Sequence, residues 1–166
     1  MLGFAHAIGC HVDFGLPHAR YAVELALGDP LAHQMLAGIL LLGGDANAAI
    51  APVYEAMRLD PIESREPFLS MAGVAYLALE RYDEAAAMFE ALIEDLGIRM
   101  PNMEAFRAAT YAALGREDEA REIIAWLNDV RSPISYRRWL SCWVADEGRS
   151  AAAIAAPMRL GLKEET

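Results

Sequence analysis

The clearest alternation of apolar and polar positions runs from Leu69 to Phe89, LSMAGVAYLALERYDEAAAMF. Leu69, Ala72-Gly73 and Tyr76 fall at the three- and four-residue steps of one helix face, and Ala85 and Phe89 do the same further on. Polar residues collect between them, at Glu80-Arg81 and Asp83-Glu84. The pattern predicts a helix over 66–80, a turn, and a second helix over 82–96 running back against the first. Gly73 and Ala85 have almost no side chain, which suits the place where two helix axes cross closely. Tyr76 and Phe89 are bulky enough to fill the space around that crossing.

The pattern recurs. Thirty-five residues on, Tyr76 becomes Tyr111, Ala85 becomes Ala120, Phe89 becomes Ile124, Glu80 becomes Gly115, and the turn sequence YDEA becomes EDEA. Thirty-six residues back, Gly73 becomes Ala37, Tyr76 becomes Leu40, Ala85 becomes Ala49 and Phe89 becomes Val53, with Ala56 and Pro61 closing the copy. Helices are therefore expected over 31–43 and 46–58, and over 102–114 and 117–130, with Pro52 bending the second of these. Asp83-Glu84 and Asp118-Glu119 fall in first turns, where negative charge suits the helix dipole. Gly97 is placed to cap a helix C-terminus. Ahead of the repeats, 2–13 and 17–28 read as a degenerate pair, with Gly15-Leu16-Pro17 as the turn between them and Gly28-Asp29-Pro30 as the stop. After Ser132-Pro133 the character changes. Tyr136, Trp139, Leu140 and Trp143 share one helical face, Gly148 breaks it, and Ser150 begins a last short helix, SAAAIAA, that meets Pro157. About ten helices are expected.

A bulky residue, a small pair, an aromatic and then Ala-x3-Phe, recurring at 35 and 36 residues, resembles the tetratricopeptide repeat (TPR). That resemblance implies an all-α fold: an α-solenoid of antiparallel helix pairs in a right-handed superhelix. The pairs would be about 2–28, 31–58, 66–96 and 102–130 within an array over 1–133, with capping helices over 134–166. It also implies that the first helix of each pair lines a concave surface. By register those positions are Leu31, Gln34, Gly38 and Leu41, then Pro67, Ser70, Val74 and Leu77, then Asn102, Ala105, Ala109 and Ala112. Of these, Gln34, Leu41, Ser70, Val74, Leu77 and Ala109 are the candidate protein-binding residues. The Lys, Arg and Asn by which TPR co-chaperones grip a terminal carboxylate are missing. A groove this apolar would take an amphipathic helix, the protein's own tail or another copy; tight winding would instead pack these positions away.

Composition narrows the chemistry. The net charge of −10 repels phosphate backbones and argues against a nucleic-acid partner. Cys10 and Cys142 lie in different repeats, so free thiols and a cytoplasmic setting are expected. The N-terminus lacks a basic stretch before its apolar residues, so no secretory leader is expected. The longest apolar run, Leu36 to Leu42, is far short of the ~20 residues that span a bilayer. His6 and Cys10 share a helix face near His11 and His18, without the paired spacing of a zinc site. All four histidines, His33 included, lie in the first 33 residues, which leaves the rest without an imidazole base. No phosphate loop is present. No catalytic residue, metal or cofactor is expected.

The ending ALGREDEAREIIAWL and the tail ending MRLGLKEE give a narrower resemblance, to the C-terminal TPR region of bacterial class III adenylate/guanylate cyclases and related winged-helix transcriptional regulators. Lys163 stands where that family's tail carries a proline. The resemblance implies a non-catalytic interaction module of a bacterial signalling or regulatory protein. The alternative is the regulatory end of a cyclase whose catalytic domain lies upstream, since the repeat register calls for residues before Met1. Its partners would be a protein or peptide, an upstream domain of the same chain included. Tyr136, Trp139 and Trp143 are expected to cap the array by docking on the helix of Ile123, Ile124 and Leu127, or to form a homodimer.

Overall fold

The computed structural model describes the backbone of residues 2–130, 136 and 150–163, and the side chains of these apart from 2–11, 150, 151, 153 and 154. Among the described residues there are eight α-helices and no strand. They are α1 (Leu2–Leu25), α2 (Pro30–Leu42), α3 (Ala46–Leu59), α4 (Arg65–Ala78), α5 (Tyr82–Glu94), α6 (Pro101–Ala113), α7 (Glu117–Asp129) and α8 (Ser150–Arg159). Close packing joins α2 to α3, α4 to α5 and α6 to α7 as pairs, α1 packs on α2 about as closely, and each pair then packs onto the next through α3 with α4 and α5 with α6. The result is a helical-repeat, all-α fold.

The three pairs turn in the same way. Leu79 N–H donates to the Ala75 carbonyl (3.0 Å), Glu80 N–H to Leu77 (3.1 Å) and Arg81 N–H to Tyr76 (2.9 Å). The same three bonds close α2 through Gly43, Gly44 and Asp45, and α6 through Leu114, Gly115 and Arg116. The middle residue of each turn is left-handed: Gly44 at φ 81°, Glu80 at φ 60° and Gly115 at φ 76°. This is how a helix C-terminus satisfies its last carbonyls while reversing direction. Residues 44, 80 and 115 are 36 and 35 apart, so the backbone repeats with the period of the sequence. The end of α8 closes identically through Leu160, Gly161 and Leu162, with Gly161 at φ 105°.

Small residues set the helix spacing. Ala37, Ala72, Ala75, Ala85, Ala105, Ala108 and Ala120 are wholly buried. A Cβ on Gly73 would stand 2.6 Å from Cε1 of Phe89, so the ring occupies the space a larger residue would need. Phe89 in turn stacks on Phe106 of the next pair, centroids 6.2 Å apart and planes 6° from parallel. One continuous core therefore runs through α2 to α7.

Two expectations are corrected. The turn at Gly15-Leu16-Pro17 does not form, and α1 runs unbroken through Pro17. Pro17 is exposed, so the carbonyl it deprives of a helix partner can turn to water. Likewise α8 passes through Pro157 to Arg159 rather than ending there. Of the tail, α8 packs mainly on α6 and only slightly on α7, and the expected docking of the aromatic stripe over 136–143 lies largely outside the described residues. Ile123, Ile124 and Leu127 are buried all the same. What fastens the tail to α7 is Asn128, whose Nδ2 donates to the Gly161 carbonyl (2.9 Å) and whose Oδ1 accepts from Lys163 N–H (2.9 Å). Tyr136 is buried and belongs to the core. Trp139 and Trp143 lie outside the described residues.

Candidate functional site

The N-terminal halves of α2, α4 and α6 enclose an open cleft of about 340 Å³. Each of these helices starts by a different local device. Asp29 Oδ1 accepts from Leu31 N–H (2.9 Å) and caps α2 behind Pro30. Pro101 at the first position of α6 presents no N–H to be satisfied. At α4 the capping position is Ser64, but its hydroxyl accepts from Gln34 Nε2 of α2 instead (2.8 Å). That bond crosses from one repeat to the next at the mouth of the cleft, and Ser64 is buried beneath it.

Met71, Val74, Met103 and Phe106 make the apolar part of the lining, with Met100 at the edge. The polar part is Gln34, Ser70, Asn102 and Glu66. Ser70 Oγ donates to Glu66 Oε1 (2.9 Å), which orients the one carboxylate in the lining. Methionine side chains adapt to irregular partners, so three of them around one cleft suit an apolar segment better than a rigid small molecule.

Of the candidate binding residues, the structure brings Gln34, Ser70 and Val74 together here, along with Pro67 and Asn102. Val74 is floor rather than rim, at 2% exposure. Leu41, Leu77 and Ala109 are placed elsewhere: each is buried at 2% exposure or less, within the core. The reason is that first helices are open only near their starts. Toward their ends they press on their pair partners, and α6 in addition is covered by α8. Glu66, Met71, Met100, Met103 and Phe106 are lining residues that the repeat register did not single out. The spacing of Glu66 and Ser70, four apart on one helix face, was the available signal for the polar wall.

A second cluster recurs along the outer side of the pairs. The Tyr76 hydroxyl lies 2.8 Å from that of Tyr54, and the Tyr111 hydroxyl donates to Glu90 (2.7 Å), the equivalent position one repeat on. Arg81 stacks over Tyr76 at 4.4 Å and Arg116 over Tyr111 at 3.8 Å. Arg81 also holds Glu84 (2.6 Å), and Arg116 holds both Glu119 (2.5 Å) and Glu90 (2.9 Å). Burial, reinforced by the hydrogen bonds with Tyr54 and Glu90 and opposed by the nearby arginines, pushes both tyrosines up to about 12. Hydrogen bonds from the arginines hold the Glu84 and Glu119 carboxyls below their ordinary value. Every member of the cluster is answered by another, so it locks adjacent repeats together and leaves no group free for acid–base work. Glu104, at 2% exposure, is similarly held by Arg107 (2.8 Å) and Arg99 (3.6 Å). Among the described residues no three His, Cys, Asp or Glu side chains gather to hold a metal, and no helix is long and apolar enough to cross a membrane.

No protein-family model matches the chain, and neither the curated proteins nor the solved structures contain a significant match to it.

Proposed function

We propose that this chain is a non-catalytic helical-repeat scaffold of the TPR type, cytoplasmic, that binds a protein partner through the cleft across α2, α4 and α6. The observation that carries the reading is the cleft itself, which is open, mostly apolar, and lined in register by α4 and α6 with Gln34 of α2 beside them. The occupant it fits is an amphipathic helix with a basic residue. The apolar lining takes the helix's apolar face, and Glu66, within a chain of net charge −10, favours a cation beside it. The recurrence of turn, crossing and tyrosine–arginine stack supports the TPR reading. Regulatory use in a bacterial signalling protein follows from the narrower resemblance of the 113–127 and 158–165 segments.

The test is selection of a displayed random-peptide library on the immobilised full chain, followed by calorimetric titration of the selected peptides. Amphipathic peptides carrying Lys or Arg are expected. Ser70→Trp, which fills the cleft from its rim, should weaken them about tenfold or more. Peptides that bind the Ser70→Trp variant equally well, or selection of acidic peptides only, would remove the cleft as the site. The same preparation should turn over neither ATP nor GTP and should not hold nucleic acid at physiological salt. Turnover abolished by a point substitution in this chain would overturn the non-catalytic reading.

A further inference from the structure

The N-terminal edge of the array carries an apolar stripe that no described helix covers. Eight large hydrophobic side chains are exposed among the described residues, and six of them lie between residues 14 and 35. They are Phe14 (70% exposed), Tyr21 (58%), Leu25 (70%), Leu27, Leu31 and Met35. Phe14, Tyr21 and Leu25 stand on one face of α1 together with His18, whose ring lies 5.0 Å from that of Phe14. Ala19 and Leu16, on the opposite face, are the residues that turn toward the core. The one helix against which α1 packs substantially is α2, whereas α3 and α5 each have a helix on two sides. Asp13, Arg20 and Glu24 border the stripe on its far flank and are exposed.

We propose that this stripe is a dimer interface, and that its occupant is α1 of a second copy of this chain, packed antiparallel. Two observations select that occupant. The first is spacing. Residues 14, 18, 21 and 25 are separated by four, three and four, a sequence of steps that reads the same from either end. Two copies of α1 related by a two-fold axis therefore place Phe14 against Leu25 of the second copy and His18 against Tyr21 of the second copy, and then the reverse. All four positions are used twice, which is the self-complementarity a two-fold interface requires. The three- and four-residue steps are also those by which two helices seat side chains between one another. The second observation is area. With side chains of this size, the six exposed residues leave roughly 700 Å² of apolar surface at one end of the molecule, more than the largest patch of a typical monomer. A stable interface needs about 800 Å² from each partner. The apolar surface and its charged border come close to that amount.

The pairing of α1 with α1 uses none of the residues that line the cleft, and its failure would leave the peptide-binding reading untouched. Sedimentation equilibrium on the full chain, run over a range of concentrations, tests it. The expected mass is twice 18.1 kDa, falling toward 18.1 kDa on dilution. Phe14→Lys alone and Leu25→Glu alone should each weaken association about thirtyfold or more. Because position 14 meets position 25 of the other copy, the chain carrying both substitutions should recover much of the lost affinity through two Lys–Glu pairs. Both side chains are 70% exposed, so helical circular dichroism should be unchanged in all three variants. A wild-type monomer at every concentration overturns the proposal, and so does a dimer indifferent to either single substitution. A double variant as weak as the singles overturns the antiparallel register.

Discussion

The second and third helix pairs share a backbone and keep Tyr76 as Tyr111, Arg81 as Arg116 and Ala85 as Ala120, yet they differ at the helix crossing, the turn and the partner of the tyrosine. Where α4 crosses α5, Gly73 meets Phe89; where α6 crosses α7, the equivalent residues are Ala108 and Ile124, and both are buried. The first pair again combines a small methyl with a medium side chain, Ala37 with Val53. A ring is accommodated only where the facing residue gives up its Cβ. The turns differ too: Glu80 holds the left-handed conformation that Gly115 holds without strain. So does the partner of the buried tyrosine, a second hydroxyl at Tyr54 in one case and the carboxylate of Glu90 in the other. What repeats is volume and hydrogen-bond satisfaction at each station, and the residues that supply them are interchangeable in compensating sets.

The largest test of that lesson is at the crossing. Gly73→Ala should cost about 1–3 kcal/mol, because the new methyl would lie 2.6 Å from a ring that its stack on Phe106 keeps from moving away. Gly73→Leu should cost more. If volume is what is conserved, adding Phe89→Ile to Gly73→Ala rebuilds the third pair's crossing inside the second, and thermal melts should show the double variant at least about 1 kcal/mol more stable than the two single losses predict. Strict additivity would mean that the two sites are not coupled.

The tyrosines come next. Tyr76 and Tyr111 titrate at about 12 in the folded chain against about 10 when unfolded. Both are acids with raised values, so their contribution is complete below about pH 10 and is lost as the pH climbs from 10 through 12. The stability–pH curve should fall across that interval, by on the order of 1–2 kcal/mol for each tyrosine. Tyr111→Phe should flatten it by about half. An unchanged alkaline limb would show that Tyr111 ionises as freely folded as unfolded.

The turns provide a smaller contrast with opposite signs. Nothing lies within 4 Å of a Cβ added at Gly115, so Gly115→Ala isolates backbone strain and should cost about 1 kcal/mol. Glu80→Gly, at the same station one repeat earlier, should instead stabilise by about 0.5 kcal/mol. Denaturant midpoints moving in the same direction for both would contradict the equivalence of the two turns. Smallest of all is the outer ion pair: Arg116 and Glu119 are more than a third exposed, so Glu119→Gln should change stability by less than about 1 kcal/mol, and less still in high salt.

Much of this architecture was legible in the chain. The three pairs 31–58, 66–96 and 102–130 could be bounded to within a few residues because apolar positions three and four apart, small crossing residues and left-handed turn positions all recur together. Tyr76 and Tyr111 with Arg81 and Arg116 recur at the same 35-residue step, so their stacking was recoverable in principle from the same period. The site was half legible. Gln34, Ser70 and Val74 followed from register alone, since a helix face is a local property of spacing.

What the chain did not decide by itself is which stretch of that face stays open. Leu41, Leu77 and Ala109 have the same register as the cleft residues and are buried; how deep a position lies depends on the helices arriving from distant parts of the chain, α8 upon α6 above all. Proline was the other place where local reasoning failed. At Pro17 and Pro157 it signalled a boundary, yet α1 and α8 continue through it, because the loss of one backbone hydrogen bond is small beside the packing of a whole helix face. Sequence period determined the repeating unit here. Tertiary packing decided where that unit is sealed, where it remains accessible, and which edge the described helices leave uncovered.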